Sequence, residues 1–338
     1  DAKPPLMLAS WFQQQWFAQR RLSPALWFLL PLSALFALLA AFNRWRIRPE
    51  RLPVPVIVVG NITVGGAGKT PLTIWLARQL QARGWKPGIV SRGYGGRAEQ
   101  LQGVDRMALA ADTGDEPVLL ARRTGVPVWV GRQRTAAARA LLKAHAEVDV
   151  ILCDDGLQHY RLGRDVELAV FDGRGAGNGW RIPAGPLREP LRRLATVDAV
   201  ICNGIADERI PETVTCFDMV LQPGDFYRLD DPQKVCLARA FAGQKLYALA
   251  GIGDPERFFR TLRGLGLTFE PHPFADHHAY SSADLAFAGD GILLMTEKDA
   301  VKCAGLTAGE TWVLPVEAVL SPALVELILE KLRGRQAA

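Results

Sequence analysis

Cysteine is scarce and unordered in this sequence. The five residues Cys153, Cys202, Cys216, Cys236 and Cys303 are scattered, and no two form a CxxC pair. That spacing argues against a zinc ribbon, and the odd number against a disulfide framework; free thiols in a reducing compartment are expected. Histidine is equally sparse, with five in all and only His277 and His278 adjacent. No internal repeat or low-complexity tract stands out. An excess of one charge over the bulk of the chain is also missing. The net +5 resides in residues 1–51, where seven Lys/Arg meet two acids, and the remainder balances at 33 basic and 33 acidic. A nucleic-acid binder would spread its excess over a folded face, so no nucleic-acid partner is expected.

The last absence is local. Leu22 to Phe42 is 21 residues without a charge, which as a helix is roughly 30 Å, the thickness of a bilayer's hydrocarbon core. Ser23-Pro24 reads as a cap followed by a first-turn proline. Pro31 would kink or interrupt the helix. Trp11, Trp16, Trp27 and Trp45 suit a membrane interface, and Arg44, Arg46, Arg48 and Arg51 place the C-terminal bulk on the cytoplasmic side. The run is too long, and too closely followed by cations, for a cleaved signal peptide. A span, a segment lying flat in the interface and a buried core helix all stay open.

What is present beyond residue 50 is alternation. Val54–Asn61 reads as a buried strand, Leu72–Arg83 as a helix and Pro87–Ser91 as the next strand. Further apolar runs at Val126–Val130, Val148–Cys153, Leu168–Phe171 and Val197–Cys202 are separated by helical stretches such as Arg132–His145. Strands alternating with helices imply a parallel sheet covered on both faces. Around Pro211–Pro232 the pattern turns irregular, and a second alternation runs from Lys245 to Arg333. The expected fold class is α/β: a P-loop NTPase-like parallel sheet domain plus a smaller second α/β/α domain, with an N-terminal membrane helix. The expected division is 1–50 for the anchor, 51–222 for the nucleotide domain and 223–338 for the linker and second domain.

Chemistry enters with Thr63-Val64-Gly65-Gly66-Ala67-Gly68-Lys69-Thr70, between a strand and a helix. Glycines let successive backbone N–H groups turn toward phosphate oxygens, and the helix N-terminus adds a positive dipole end. Lys69 is expected on the β/γ-phosphates of ATP and Thr70 on Mg²⁺. The first position of the usual pattern is glycine, and here it is Thr63. Val148–Cys153 then ends in Asp154-Asp155, carboxylates at the C-terminal edge of a parallel strand, where either could hold the metal. Two adjacent strand-end carboxylates repel unless a cation or hydrogen bonds compensate them.

Six ordered motifs go further: Thr63–Pro71, Ser91-Arg-Gly-Tyr-Gly-Gly96, Gly114-Asp-Glu-Pro117, Asp154-Asp-Gly-Leu-Gln-His159, Pro183–Glu189 and Met295-Thr-Glu-Lys-Asp-Ala-Val-Lys302. Together they resemble the tetraacyldisaccharide 4'-kinase family, from the apolar segment nearly to the C-terminus. The resemblance implies an inner-membrane enzyme on the cytoplasmic face, using ATP and Mg²⁺; a monomer is expected, though the sequence itself leaves the oligomeric state open. It implies phosphorylation of the 4'-hydroxyl of a tetraacylated glucosamine disaccharide 1-phosphate, giving lipid IVA for lipid A. On matching positions Asp115 is similar to the family's catalytic base and His277 to its partner from the second domain. Arg188 would neutralise phosphate charge, and Gln158, His159 and Glu189 sit in motifs the family places around the phosphates and the sugar head group; Tyr94 reads either as packing against bound substrate or as a core or turn residue. Asp115 reads equally as a helix cap. The resemblance gives no chemical task to Thr296–Lys302, where Lys298 reads as a salt-bridge partner at a domain seam. A P-loop ATPase without an acceptor and a membrane scaffold with a vestigial site are the competing classes.

Overall fold

The computed structural model describes residues 4–18, 21–96, 101–303, 305–306 and 309–336. Two sheets organise it. The larger has nine strands in the spatial order Val316–Leu320, Cys216–Pro223, Ala199–Asn203, Val166–Asp172, Val56–Gly60, Val150–Cys153, Pro87–Ser91, Val128–Val130, Gln102–Gly103. All neighbours are parallel except the pair at each edge. Val56–Gly60 lies at the centre and is buried throughout. Its residues divide by parity. Ile57 and Val59 share a core with Leu72 and Leu76 of the helix Lys69–Gln81 and with Ile328 of the helix Ala323–Gln336. Val56 and Val58 share the opposite core with Leu141 of the helix Arg134–Ala144. A strand apolar on both faces is what a parallel sheet between two helical layers requires.

The smaller sheet has six strands in the order Val235–Cys236, Phe226–Arg228, Thr311–Leu314, Ile292–Thr296, Leu246–Ala250, Glu270–Pro273. Its last four are parallel, and Phe226–Arg228 runs antiparallel to both of its neighbours. The chain then returns. Val316–Leu320 pairs antiparallel with Cys216–Pro223, and Ala323–Gln336 packs on the first sheet. The expected division assigns 223–338 to the second unit, but hydrogen bonding and packing put 316–336 with the first. The outgoing and returning crossings touch, Gly224 N–H donating to Pro315 O at 3.0 Å.

At the N-terminus a 3-10 turn, Pro24–Leu29, runs into the α-helix Leu30–Arg46. Pro31 falls in the first α-turn, so the expected interruption takes the form of a change in winding at Leu29–Leu30. Pro24–Arg46 is long and apolar enough to cross a membrane by length and composition. One side docks on the protein body: Leu26 is buried, and Ser33 Oγ donates to Arg181 O at 2.9 Å. The other side exposes Trp27, Phe28, Leu35, Leu38, Leu39 and Phe42.

Candidate active site

The central strand ends at Gly60, and the chain turns through Asn61–Gly68 before the helix begins at Lys69. Gly65 and Gly68 have φ of 98° and 97°, the left-handed region where a side chain would be strained. A Cβ on Gly68 would also lie 2.6 Å from Asn203 Nδ2. The turn is held from outside: Asn61 Nδ2 donates to Gly65 O at 3.2 Å and Asn203 Nδ2 to Ala67 O at 3.1 Å. These bonds engage two carbonyls of the turn, and Gly65–Gly68 line the cavity described below. Thr63 and Val64 do not belong to the curl. Val64 N–H donates to Pro186 O at 2.9 Å, and Arg188 N–H to Ile62 O at 2.7 Å. Thr63 therefore sits in paired, extended chain, where the usual glycine has no conformational purpose.

Asp154 and Asp155 end the neighbouring strand and differ sharply. Asp154 is fully buried; its Oδ1 accepts from Thr73 Oγ1 at 3.0 Å, and its Oδ2 has no hydrogen-bond partner among the described residues. Burial, then the charges of Glu116 and Asp155, push its carboxyl up to about 7. Asp155 adopts φ of 49° and meets Lys69 Nζ at 3.5 Å and Arg188 at 3.4 Å. Burial would raise its pKa, but Lys69 and Arg188 more than offset this and hold it below the usual carboxylate value. Arg188 reaches onward to Gln158 Oε1 at 3.4 Å.

A cavity of about 550 Å³ connects the phosphate loop to the second unit, with Lys69, Tyr94, Arg188, Arg257, His277 and Lys298 in its wall. His277 and Asp115, 162 positions apart, meet there: Nδ1 lies 3.1 Å from both carboxylate oxygens. Gly114 takes the cap position, and Asp115 is the first residue of the helix Asp115–Thr124. Burial raises the Asp115 pKa, but the His277 bond and the Lys298 charge outweigh it and hold the carboxyl below its ordinary value. Asp115 is only 3% exposed, so His277 is the member on the cavity wall. His277 has φ of 58°, and the Tyr94 ring lies 4.7 Å from its own.

Two residues expected at the head group, His159 and Glu189, are engaged by the protein itself. His159 Nε2 accepts the Arg134 N–H at 3.1 Å, closing the first turn of Arg134–Ala144. Burial and the surrounding arginines push its pKa down to about 4. Glu189 is buried and accepts from Tyr160 Oη and from Gln158 Nε2, the latter at 2.8 Å. Its carboxylate is committed to that network. Sequence reasoning missed Asn61, Asn203 and Arg257, which donates to Asn203 Oδ1 at 2.8 Å. Asn203 ends a buried strand at the edge that carries Asp154, and that placement could have flagged it. Arg257 stands in an ordinary amphipathic helix and gives no such signal.

A glycine-rich turn between the central strand and a helix, with lysine at the helix start and paired carboxylates on the next strand, defines a P-loop nucleotide-binding fold. The second unit, closing over that loop with a histidine, narrows the class. The family model described as Tetraacyldisaccharide-1-P 4'-kinase (LpxK) matches residues 25–333, and the chain belongs to that family. The tetraacyldisaccharide 4'-kinase of Dechloromonas aromatica (strain RCB) is 66% identical over 333 residues, covering 98% of this chain and 100% of the relative. That of Azoarcus sp. (strain BH72) is 52% identical over 326 residues, covering 94% and 96%. Among solved structures, the "apo" form of LpxK from Aquifex aeolicus in complex with ATP superposes with a TM-score of 0.74 at 28% identity, covering 90% of this chain and 98% of that one.

Proposed function

We propose that this chain transfers the γ-phosphoryl group of ATP to the 4'-hydroxyl of tetraacyldisaccharide 1-phosphate, forming lipid IVA in lipid A biosynthesis. The observation that carries the reading is the 3.1 Å contact between Asp115 and His277, made across two units on a cavity shared with the phosphate loop. The relatives' names support the acceptor, and the Aquifex structure supports ATP.

In this reading the backbone N–H groups of Gly65–Gly68 cradle the β- and γ-phosphates. Lys69 leaves Asp155 to pair with them, and Arg188 balances charge on the transferring group. The acceptor oxygen forms a bond to the γ-phosphorus as the bond to the β-phosphate oxygen breaks. The hydroxyl proton passes to the Asp115–His277 pair, whose negative charge resides on Asp115. The unpartnered Asp154 Oδ2 fits a cation, and Thr70, Asp154 and Asp155 are the residues that would hold Mg²⁺. Bound there, the ion supplies neutralisation of developing phosphate charge.

The helix Pro24–Arg46 supports a membrane setting. Ser33, within the apolar stretch, is bonded to the body of the protein, so the segment lies along the interface on the cytoplasmic face. Its exposed apolar side enters one leaflet, and Arg44, Arg46 and Arg48 sit at the head groups. Radiolabelled ATP with the disaccharide 1-phosphate acceptor in neutral micelles tests the whole reading: one labelled lipid per ADP is expected, and ADP release indifferent to the acceptor refutes it.

A further inference from the structure

The segment Thr296–Lys302 comprises the last residue of the strand Ile292–Thr296 and all but the last residue of the short helix Glu297–Cys303 that follows it. Its side chains divide into two sets. Asp299 and Lys302 bind their own unit. Asp299, wholly buried, accepts from Gly251 N–H at 3.1 Å, Tyr280 Oη at 2.9 Å and Thr296 Oγ1 at 2.6 Å, and pairs with Lys302 at 2.9 Å. Glu297 and Lys298 reach across to the helix Asp115–Thr124. Glu297 pairs with Arg123 near one end of that helix, and Lys298 with the carboxylates at the other.

Lys298 Nζ stands 3.1 Å from Glu116 Oε1, 3.4 Å from Asp276 Oδ1, 3.5 Å from His277 Nε2 and 4.0 Å from Asp115 Oδ2. An ammonium has three N–H donors and no acceptor. The two carboxylates and Nε2 use all three. An Nε2–H would point at the ammonium, which cannot accept its proton, and would find Asp276 Oδ1 at 3.8 Å, beyond hydrogen-bond reach. The ring proton therefore belongs on Nδ1, the nitrogen that faces Asp115. Burial alone would lower the Lys298 pKa, but Glu116, Asp115 and Asp276 outweigh it and raise it, so the cation persists at every working pH.

We propose that Lys298 is a positioning residue for phosphoryl transfer: fixed on Glu116 and Asp276, its ammonium directs the His277 Nδ1–H at an ionised Asp115. The proposal rests on the kinase reading above and assigns a chemical task to the Met295–Lys302 motif. Three carboxylates, Asp115, Glu116 and Asp276, converge on this point with Tyr94 against the imidazole, and Lys302 acts on Asp115 from further off. Lys298 is the cation at their centre. Removing it raises the proton affinity of the pair. The acidic limb of kcat/KM then moves to higher pH, whichever member accepts the proton.

The test uses the full chain in neutral micelles with ATP and the disaccharide 1-phosphate. Lys298→Met should lower kcat about 30-fold with the KM for ATP within about twofold, and shift the acidic limb up by about one pH unit. Lys298→Arg should recover most of the rate. In an Asp115→Asn background, where there is no carboxylate to align, the same Lys298→Met change should cost less than about threefold. Equal losses in both backgrounds, or an unmoved limb, would make Lys298 a strut between the units and overturn the proposal. Nitrogen-15 spectra of the imidazoles give a readout independent of the acceptor. Nδ1 of His277 should carry the proton in the native chain and share it with Nε2 in Lys298→Met; identical spectra also overturn the idea. A native enzyme that phosphorylates no lipid refutes the kinase reading instead, and the spectra still decide the role of Lys298.

Discussion

The two units meet the cavity by different means. The first presents a backbone turn whose carbonyls are pinned by Asn61 and Asn203, with Lys69 and Arg188 beside it and Asp115 anchoring the arm His277. The second presents side chains, His277, Lys298 and Arg257, carried on loops and short helices and held across the seam by charge pairs and, for Arg257, a hydrogen bond to Asn203. A backbone cradle recognises what every triphosphate has in common. Side-chain arms can be aligned by a handful of contacts, and this is where a particular acceptor hydroxyl can be selected.

The comparison is tested most severely at Lys69. Lys69→Ala should lower kcat/KM by about a thousandfold or more and weaken nucleotide binding as well, because it removes a charge from the phosphate site itself. Asp115→Ala should lower kcat by about a hundredfold or more with the KM for ATP within about twofold, as general-base loss does. A matching loss of ATP affinity in steady-state kinetics would erase the distinction between cradle and arms.

Cradle and arms were also unequally legible. Strand, glycines and Lys69-Thr70 follow one another within a few positions, so local spacing alone placed the loop, and Asp154-Asp155 were placed by ending a buried strand. Nothing local pairs Asp115 with His277; that expectation came only through the family resemblance. The apparent irregularity at Pro211–Pro232 hid the strand Cys216–Pro223, in which Met219 alone is buried. Its partner Val316–Leu320 lies about a hundred positions away, beyond the reach of periodicity. Gln158 lies beside Arg188. The expectation for His159 and Glu189 rests on the family resemblance alone, and spacing gives no sign of the protein groups that engage them.

A smaller effect is expected at the seam. Glu297→Gln removes the buried partner of Arg123 and should lower stability by about 2 kcal/mol in denaturant unfolding, without moving the pH limb that Lys298→Met moves. A change in that limb would mean that any seam contact tunes the arms. The smallest effect belongs to the first unit. His159 is neutral when folded down to about pH 4, whereas the unfolded chain takes up that proton near 6.5. The unfolded state therefore binds more protons across this interval, and native stability falls as pH drops from 6.5 to 4. Solvent reaches part of this ring and screens the surrounding charges, so His159→Gln should abolish about 1 to 2 kcal/mol of that fall. Urea midpoints of both proteins at the two pH values measure it.

The return of the chain through Val316–Leu320 to Gln336 has a consequence for synthesis. The nucleotide-binding sheet is the first to emerge from the ribosome and the last to be completed, since its edge strand and closing helix are translated after the whole of the other unit. Nascent chains arrested before residue 316 would carry a finished smaller unit on an unfinished larger one. The dependence runs one way: the smaller unit is a continuous segment, whereas a stop codon placed between the two leaves the larger sheet without its edge strand.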